Sequence, residues 1–233
     1  MQLPSTASGQ PIEALIFDMD GTMIDSMPWH RKSWLPFLAE HGIVLDMDDL
    51  MRKTTGRTGI ECMEVVFQRT MDAAEAAAYV HKKESIYREL FDPVFAEVAG
   101  FTAFYGQAHA RGFKLGVGTA GDRHNQAFAY ARLKLPTPPL TTVGGDEGLR
   151  GKPAPDIFLE VARRIGARPN RCIVFEDAPY GIEAARQAGM HAVGICSGHS
   201  AAELSGPHVL ACVADYRELI AAQFLENLHV ASL

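Results

Sequence analysis

The chain is short of several things, and each shortage removes a class of protein. No apolar run approaches the roughly 20 residues that a membrane-spanning helix needs, so a membrane is not an expected partner. Basic residues are in deficit: 22 Lys and Arg stand against 28 Asp and Glu, for a formal net charge of −6. A general grip on nucleic acid needs clustered positive charge, so nucleic acid is not an expected partner either. Cysteine is limited to Cys62, Cys172, Cys196 and Cys212, with no close pairing and no metal-ligand spacing. That usage suits reduced thiols in a cytoplasmic protein better than a disulfide framework. Repeats and low-complexity tracts are missing. Met1 to Gln10 has neither a basic start nor an apolar middle, so it reads as a loose lead-in and not as a signal peptide.

What remains is a chain of 233 residues with 47% hydrophobic content, enough for a large core. The apolar run Ala14 to Phe17 ends in Asp18-Met19-Asp20-Gly21-Thr22, which reads as a buried strand closed by a turn. Asp18 and Asp20 would face the same side if the backbone stayed extended. Two carboxylates so close repel unless a proton or a cation lies between them, and a hard cation such as Mg²⁺ is the usual oxygen-bound partner.

From Met27 to Pro93 the pattern is helical throughout. Ser26 is placed to cap the first helix, Pro28 sits in its first turn, and Pro36 predicts a kink or a break inside it. Further helices are expected over Asp46 to Lys53, Glu61 to Arg69 and Asp72 to Phe91, with Thr54 to Gly59 as a loop. Beyond Pro93 strands and helices alternate. Strands are expected at Lys114–Thr119, Leu140–Val143, Cys172–Phe175, His191–Ile195 and Val209–Val213. Such alternation implies βαβ units and a parallel sheet. The expected fold is therefore α/β: a Rossmann-like core (1–26 and 94–233) with an inserted α-helical cap domain (27–93).

Four polar groups punctuate this alternation: Asp18/Asp20, Thr119, Lys152 and Glu176/Asp177. All but Lys152 directly follow an apolar strand, so a parallel sheet would gather them at one edge. Each has an ordinary explanation if seen alone. A strand-end Thr follows β-propensity, a Lys before Pro is common in a solvated loop, and two acids suit a helix N-terminus. Together, a metal site, an anion site and a free carboxylate suit phosphoryl transfer.

Asp18-Met19-Asp20-Gly21-Thr22, Thr119, Gly151-Lys152-Pro153-Ala154-Pro155-Asp156 and Glu176-Asp177 resemble, in order, the four motifs of the haloacid dehalogenase superfamily. The β-phosphoglucomutase-like branch is the most similar. The resemblance implies an Asp18 nucleophile that forms an aspartyl-phosphate, and Asp20 as acid and then base, for which a raised pKa would suit the first task. It implies Mg²⁺ on Asp18, the Asp20 carbonyl and Asp177, with Glu176 bound directly or through water. Thr119 would bind a phosphoryl oxygen, and Lys152 would neutralise charge.

In the helical segment, His30 and Lys83 fall where the mutases carry a histidine and a lysine beside the sugar phosphate. Without the resemblance they read as an amphipathic filler and a solvated lysine. Gly56 and Arg57 form the cap loop and are candidates for binding substrate. The mutases carry an arginine three positions after the loop glycine, where this chain has Gly59. The expected function is a Mg²⁺-dependent phosphatase for a small phosphorylated metabolite, with a sugar phosphate favoured. Alternatives are a β-phosphoglucomutase, an inorganic pyrophosphatase or a non-catalytic binding module. The expected assembly is a monomer or a weak dimer, and hinges are expected near Ser26-Met27 and Asp92-Pro93.

Overall fold

A computed structural model describes residues 11–228; the lead-in discussed above lies outside the described residues. Strand β1 (Ala14–Phe17) is buried along its whole length. It pairs in parallel with β2 (Lys114–Gly118) on one side and β4 (Cys172–Glu176) on the other. With β3 (Thr141–Val143), β5 (His191–Ile195) and β6 (Val209–Val213) they form a six-stranded parallel sheet in the order β3-β2-β1-β4-β5-β6. The strand order reverses at β1, so a crevice opens at the carboxyl ends of β1, β2 and β4.

The period of two along a strand sorts the core into two layers. Leu15, Phe17, Val117, Ile173 and Phe175 face one apolar cluster, shared with α5 (Phe101–Ala110) and α10 (Tyr216–Ala221). Ala14, Ile16, Cys172 and Val174 face the other, covered by α7 (Asp156–Ile165) and α8 (Pro179–Gln187). Phe17 stacks on Phe175 at 4.8 Å between centroids and meets Phe101 edge-on at 5.4 Å. Burying such side chains contributes about 1.5–3 kcal/mol each, which anchors the strands that carry the site.

The segment after β1 is helical, as its sequence predicts: α1 (Met27–Glu40), α2 (Met47–Thr54), α3 (Gly59–Phe67) and α4 (Ala73–Phe91). These helices enclose an apolar cluster of their own around Trp34, Phe37, Leu38, Leu50, Met63 and Val66. Two expectations for α1 fail. It runs unbroken through Pro36, because Lys32 and Pro36 lie on its exposed side and the carbonyl that loses its partner can turn to water. Ser26 sits at the N-cap but makes no capping bond; its hydroxyl donates instead to Asp20 Oδ1 at 2.7 Å, a charged and therefore stronger acceptor.

Both connections to the helical segment are stitched together at their core ends. Asp25 N–H donates to Ala96 O at 3.0 Å and Val98 N–H to Met23 O at 3.1 Å. The far end of α4 belongs to the sheet layer, since Tyr87 and Phe91 join the cluster of Phe128 and Phe95. Helix α4 therefore spans both apolar clusters. Among the described residues two more α-helices remain: α6 (Arg123–Arg132), one of the helices expected to alternate with the strands, and the short α9 (Ala201–Leu204), which the sequence pattern did not reveal.

Candidate active site

The carboxyl ends of the three central strands place the acids. Asp18 follows β1, and its N–H donates to Phe175 O at 3.0 Å, so the residue is held in the sheet ladder beside β4. Glu176 closes β4 and Asp177 follows it. Thr119 follows β2, and its Oγ1 accepts from Gly121 N–H at 3.0 Å. Lys152 arrives from the loop before α7 and is 1% exposed. Its ammonium donates to Asp18 Oδ1 at 2.5 Å and to Glu176 Oε1 at 2.6 Å. The four motifs thus meet at one edge of the sheet, and the solvated-loop reading of Lys152 is overturned by its burial.

One ammonium faces three buried carboxylates, and this imbalance shows in their ionisation. Burial raises the Asp18 carboxyl to about 7; Lys152 opposes the rise and Glu176 adds to it. Asp177 is also pushed well up, first by burial and then by the charges of Glu176 and Asp18. Asp177 Oδ2 is buried without a hydrogen-bond partner. One oxygen from each of Asp18, Glu176 and Asp177 lies within 4.8 Å of the others. An orphaned carboxylate oxygen in a surplus of negative charge is what a divalent cation would satisfy, so these residues fit a metal. Both Glu176 oxygens are already engaged, Oε1 by Lys152 and Oε2 by Ala178 N–H at 2.7 Å, which leaves Asp177 the freer donor. Gly21 makes the turn beside it at φ +74°; a Cβ there would sit 2.2 Å from Asp177 Oδ2.

Asp20 departs from two expectations. Asp18 and Asp20 line the same cavity but take partners on different sides, because the chain turns at once instead of staying extended. Asp20 Oδ1 accepts from Ser26 (2.7 Å) and Tyr87 (3.3 Å) and meets His30 Nε2 at 3.1 Å. Its side chain is outside the acidic cluster, so only its backbone carbonyl is left as a candidate ligand. Its pKa is not raised. Burial pushes it up, but the contacts of His30 and Ser26 and the nearby Lys83 outweigh that and bring it down to about 2.

The candidates from the helical segment reach the same place. Lys83 is 3% exposed, so it is no surface lysine. Its ammonium contacts His30 Nδ1 at 2.8 Å and Glu84 Oε1 at 2.8 Å. His30 stacks on Tyr87 with ring centroids 3.7 Å apart. Gly56 and Arg57 lie on the cavity wall, with the guanidinium 5.6 Å from the Tyr180 ring and its Nε unpaired. Gly59 has a steric reason for carrying no side chain: a Cβ would lie 2.7 Å from Val80 Cγ1. Sequence reasoning missed Tyr87, Glu84 and Asn125. The cavity between helices and sheet is about 400 Å³, room for a small metabolite.

Comparison with known proteins agrees with this geometry. The model of the haloacid dehalogenase-like hydrolase family matches residues 12–189. A fructose-1-phosphate phosphatase of Escherichia coli is 35% identical over 78% of this chain and 95% of its own. A validoxylamine A 7'-phosphate phosphatase of Streptomyces hygroscopicus is 32% identical over 84% of this chain and 91% of its own. A β-phosphoglucomutase crystal structure from Clostridium difficile superposes with a TM-score of 0.79 at 23% identity, over 93% of this chain and 96% of that one, a likeness of fold. The chain belongs to the haloacid dehalogenase-like hydrolase family.

Proposed function

We propose that the protein is a phosphatase that releases inorganic phosphate from a small phosphorylated metabolite, a sugar phosphate being the best fit. The observation that carries this reading is the convergence of Asp18, Lys152, Glu176 and an orphaned Asp177 oxygen at the floor of a covered cavity. Two similar proteins, a fructose-1-phosphate phosphatase and a validoxylamine A 7'-phosphate phosphatase, support it.

In this reading an Asp18 oxygen attacks phosphorus, the bond from phosphorus to the leaving oxygen breaks, and an aspartyl-phosphate forms. Lys152 holds the Asp18 carboxylate in place and offsets charge on the phosphoryl group. The Thr119 hydroxyl, whose proton is free because its oxygen accepts from Gly121, donates to a phosphoryl oxygen. Asp20 delivers a proton to the leaving oxygen. It then takes one from the water that attacks phosphorus, which breaks the bond to Asp18. The low pKa of Asp20 favours the second of these tasks; the first requires that it be protonated as substrate enters. Asp18, Asp177 and the Asp20 carbonyl, with Glu176 through water, would hold Mg²⁺, which supplies positive charge to the phosphoryl oxygens when bound.

The mutase reading has His30 and Lys83 in its favour, since His30 contacts Asp20 and Lys83 contacts His30. It needs a second anion site deep under the helices. Lys152, Lys83 and Arg123 already pair with carboxylates, and Gly59 offers no cation, which leaves Arg57. One arginine serves the polar end of a monophosphate. The four cysteines are all free, as suits a cytoplasmic enzyme.

The test is a panel of hexose phosphates, triose phosphates and pyrophosphate with Mg²⁺, read as inorganic phosphate and as isomer. Phosphate release from sugar phosphates, abolished by EDTA and by Asp18→Asn in a folded variant, is the expected result. Isomer without phosphate supports the mutase, preferred pyrophosphate cleavage the pyrophosphatase, and no turnover of any compound a binding module.

A further inference from the structure

Lys83, buried in the helical segment, is held in place from across the cleft. Its ammonium has hydrogens to give and no lone pair to accept with. At 2.8 Å, His30 Nδ1 must therefore be the acceptor, and the imidazole proton sits on Nε2, directed at Asp20 Oδ1. The position of Lys83 thus decides which nitrogen of His30 faces Asp20 as a donor.

Lys83 is fixed in turn by Glu84, and Glu84 by the opposite layer. Glu84 Oε2 accepts from Asn125 Nδ2 at 2.7 Å, and Arg88 Nη1 donates to Asn125 Oδ1 at 2.7 Å. Glu84 and Arg88 lie one turn apart on α4, whereas Asn125 is on α6 of the sheet domain. The Asn125 amide is 4% exposed, with one donor and one acceptor engaged, so its orientation follows from its partners and cannot be inverted. Asn125 is also tied to the sheet: its N–H donates at 2.9 Å to Asp122, the cap of α6, on the loop that leaves Thr119. A continuous path of polar contacts runs from the end of β2, across the cleft and back to the end of β1. The path crosses the cleft twice, at Asn125–Glu84 and at His30–Asp20, so lifting the helices off the sheet breaks both contacts.

We infer that Glu84 and Asn125 are positioning residues that make the orientation of His30 toward Asp20 depend on closure of the helical segment. This rests on the phosphatase reading for its kinetic consequence, though not for its structural one. With the cleft open, Glu84 loses its fixed partner, Lys83 can swing away, and His30 is free to take either tautomer. The proton-handling carboxylate is then fully assembled only when the site is covered and water is shut out.

The test uses the full chain. In Asn125→Ala, kcat is expected to fall about tenfold with KM changed less than about twofold, the pattern of a lost transition-state interaction. Glu84→Gln should behave alike, and the double variant should be no worse than the poorer single one, because both act through one path. In an Asp20→Asn background, Asn125→Ala should cost nothing further. Separately from turnover, imidazole ¹⁵N shifts at fixed pH should show one His30 tautomer, proton on Nε2, in the unmodified protein and a mixture in Asn125→Ala. A single unchanged tautomer in a folded Asn125→Ala overturns the inference, as does an additive double variant. If the tautomer responds but no phosphoester is turned over, the phosphatase reading fails and the positioning stands.

Discussion

Two buried lysines, one in each layer, show two ways of holding a charge. Lys152 is clamped between Asp18 and Glu176, both fixed by β-strands that pair with each other. Lys83 sits between His30 and Glu84, on two helices that pack together, but its carboxylate is completed only by Asn125 of the opposite layer. The first arrangement stands whatever the helices do. The second is complete in the closed state alone. In the proposed mechanism the core lysine would then serve the phosphoryl group throughout, and the lysine of the helical segment a step that needs the helices in place.

Removing each ammonium is the strongest way to break this comparison. Lys152→Met leaves Asp18 and Glu176 buried without their cation, which costs about 3–5 kcal/mol of stability for a broken buried pair. Turnover should fall by about three powers of ten, the scale of losing a preorganised charge at the reacting group. Lys83→Met also strips Glu84 of its cation, but Asn125 still donates to that carboxylate, so the variant should lose less stability than Lys152→Met and only about ten- to a hundredfold in kcat, the scale of a general acid–base contribution. Thermal melts and steady-state kinetics on the two variants decide it. Equal losses would mean that both lysines act on the phosphoryl group and that the division drawn here is wrong.

The sequence made the first lysine legible and left the second half-read. Asp18, Thr119 and Glu176-Asp177 each end an apolar run, and parallel pairing brings strand ends together, so local pattern was enough to collect them. Lys152 needed the motif resemblance, because nothing in a Lys-Pro loop signals burial. Lys83 stands in a charged run, Lys82-Lys83-Glu84, that looks like a solvated face. Its burial depends on how the helices dock, which is a property of contacts across 41 residues in the case of Glu84 and Asn125. Asn125 offered no signal: it follows the cap Asp122 as any polar residue in a first turn would. The low pKa of Asp20 was hidden for the same reason, since His30 and Lys83 come from α1 and α4.

A smaller effect separates the acids by pH. With Asp18 raised from an ordinary 3.8 to about 7 by burial, the folded metal-free protein binds more protons than the unfolded chain over that interval. Its stability should therefore fall as pH rises from about 4 to 7, the reverse of the trend for a salt-bridged acid. Asp20 contributes in the opposite sense but lower, since with its pKa down near 2 its stabilisation is gained by about pH 4. Melting curves with EDTA should show the fall, and Asp18→Asn should flatten it by several degrees. Because a metal needs ionised ligands, Mg²⁺ should raise Tm more at pH 8 than at pH 5. A Mg²⁺ shift independent of pH would place the ion away from Asp18 and Asp177.

Arg57 sharpens the comparison from the other side. It lies on the helical segment like Lys83, but its Nε has no partner, and it belongs to no path that reaches Asp20. A group that waits for the substrate should act on binding, whereas one that organises a catalytic carboxylate should act on turnover. Arg57→Ala is expected to raise KM about tenfold and leave kcat within about threefold, the signature of an interaction present equally in ground and transition states. Arg57→Lys should recover only part of that, since a lysine keeps the charge and loses the two-pronged donor. If Arg57→Ala instead lowers kcat and KM together, the arginine is pressing the bound substrate towards Asp18, and the helical segment would be contributing strain as well as cover.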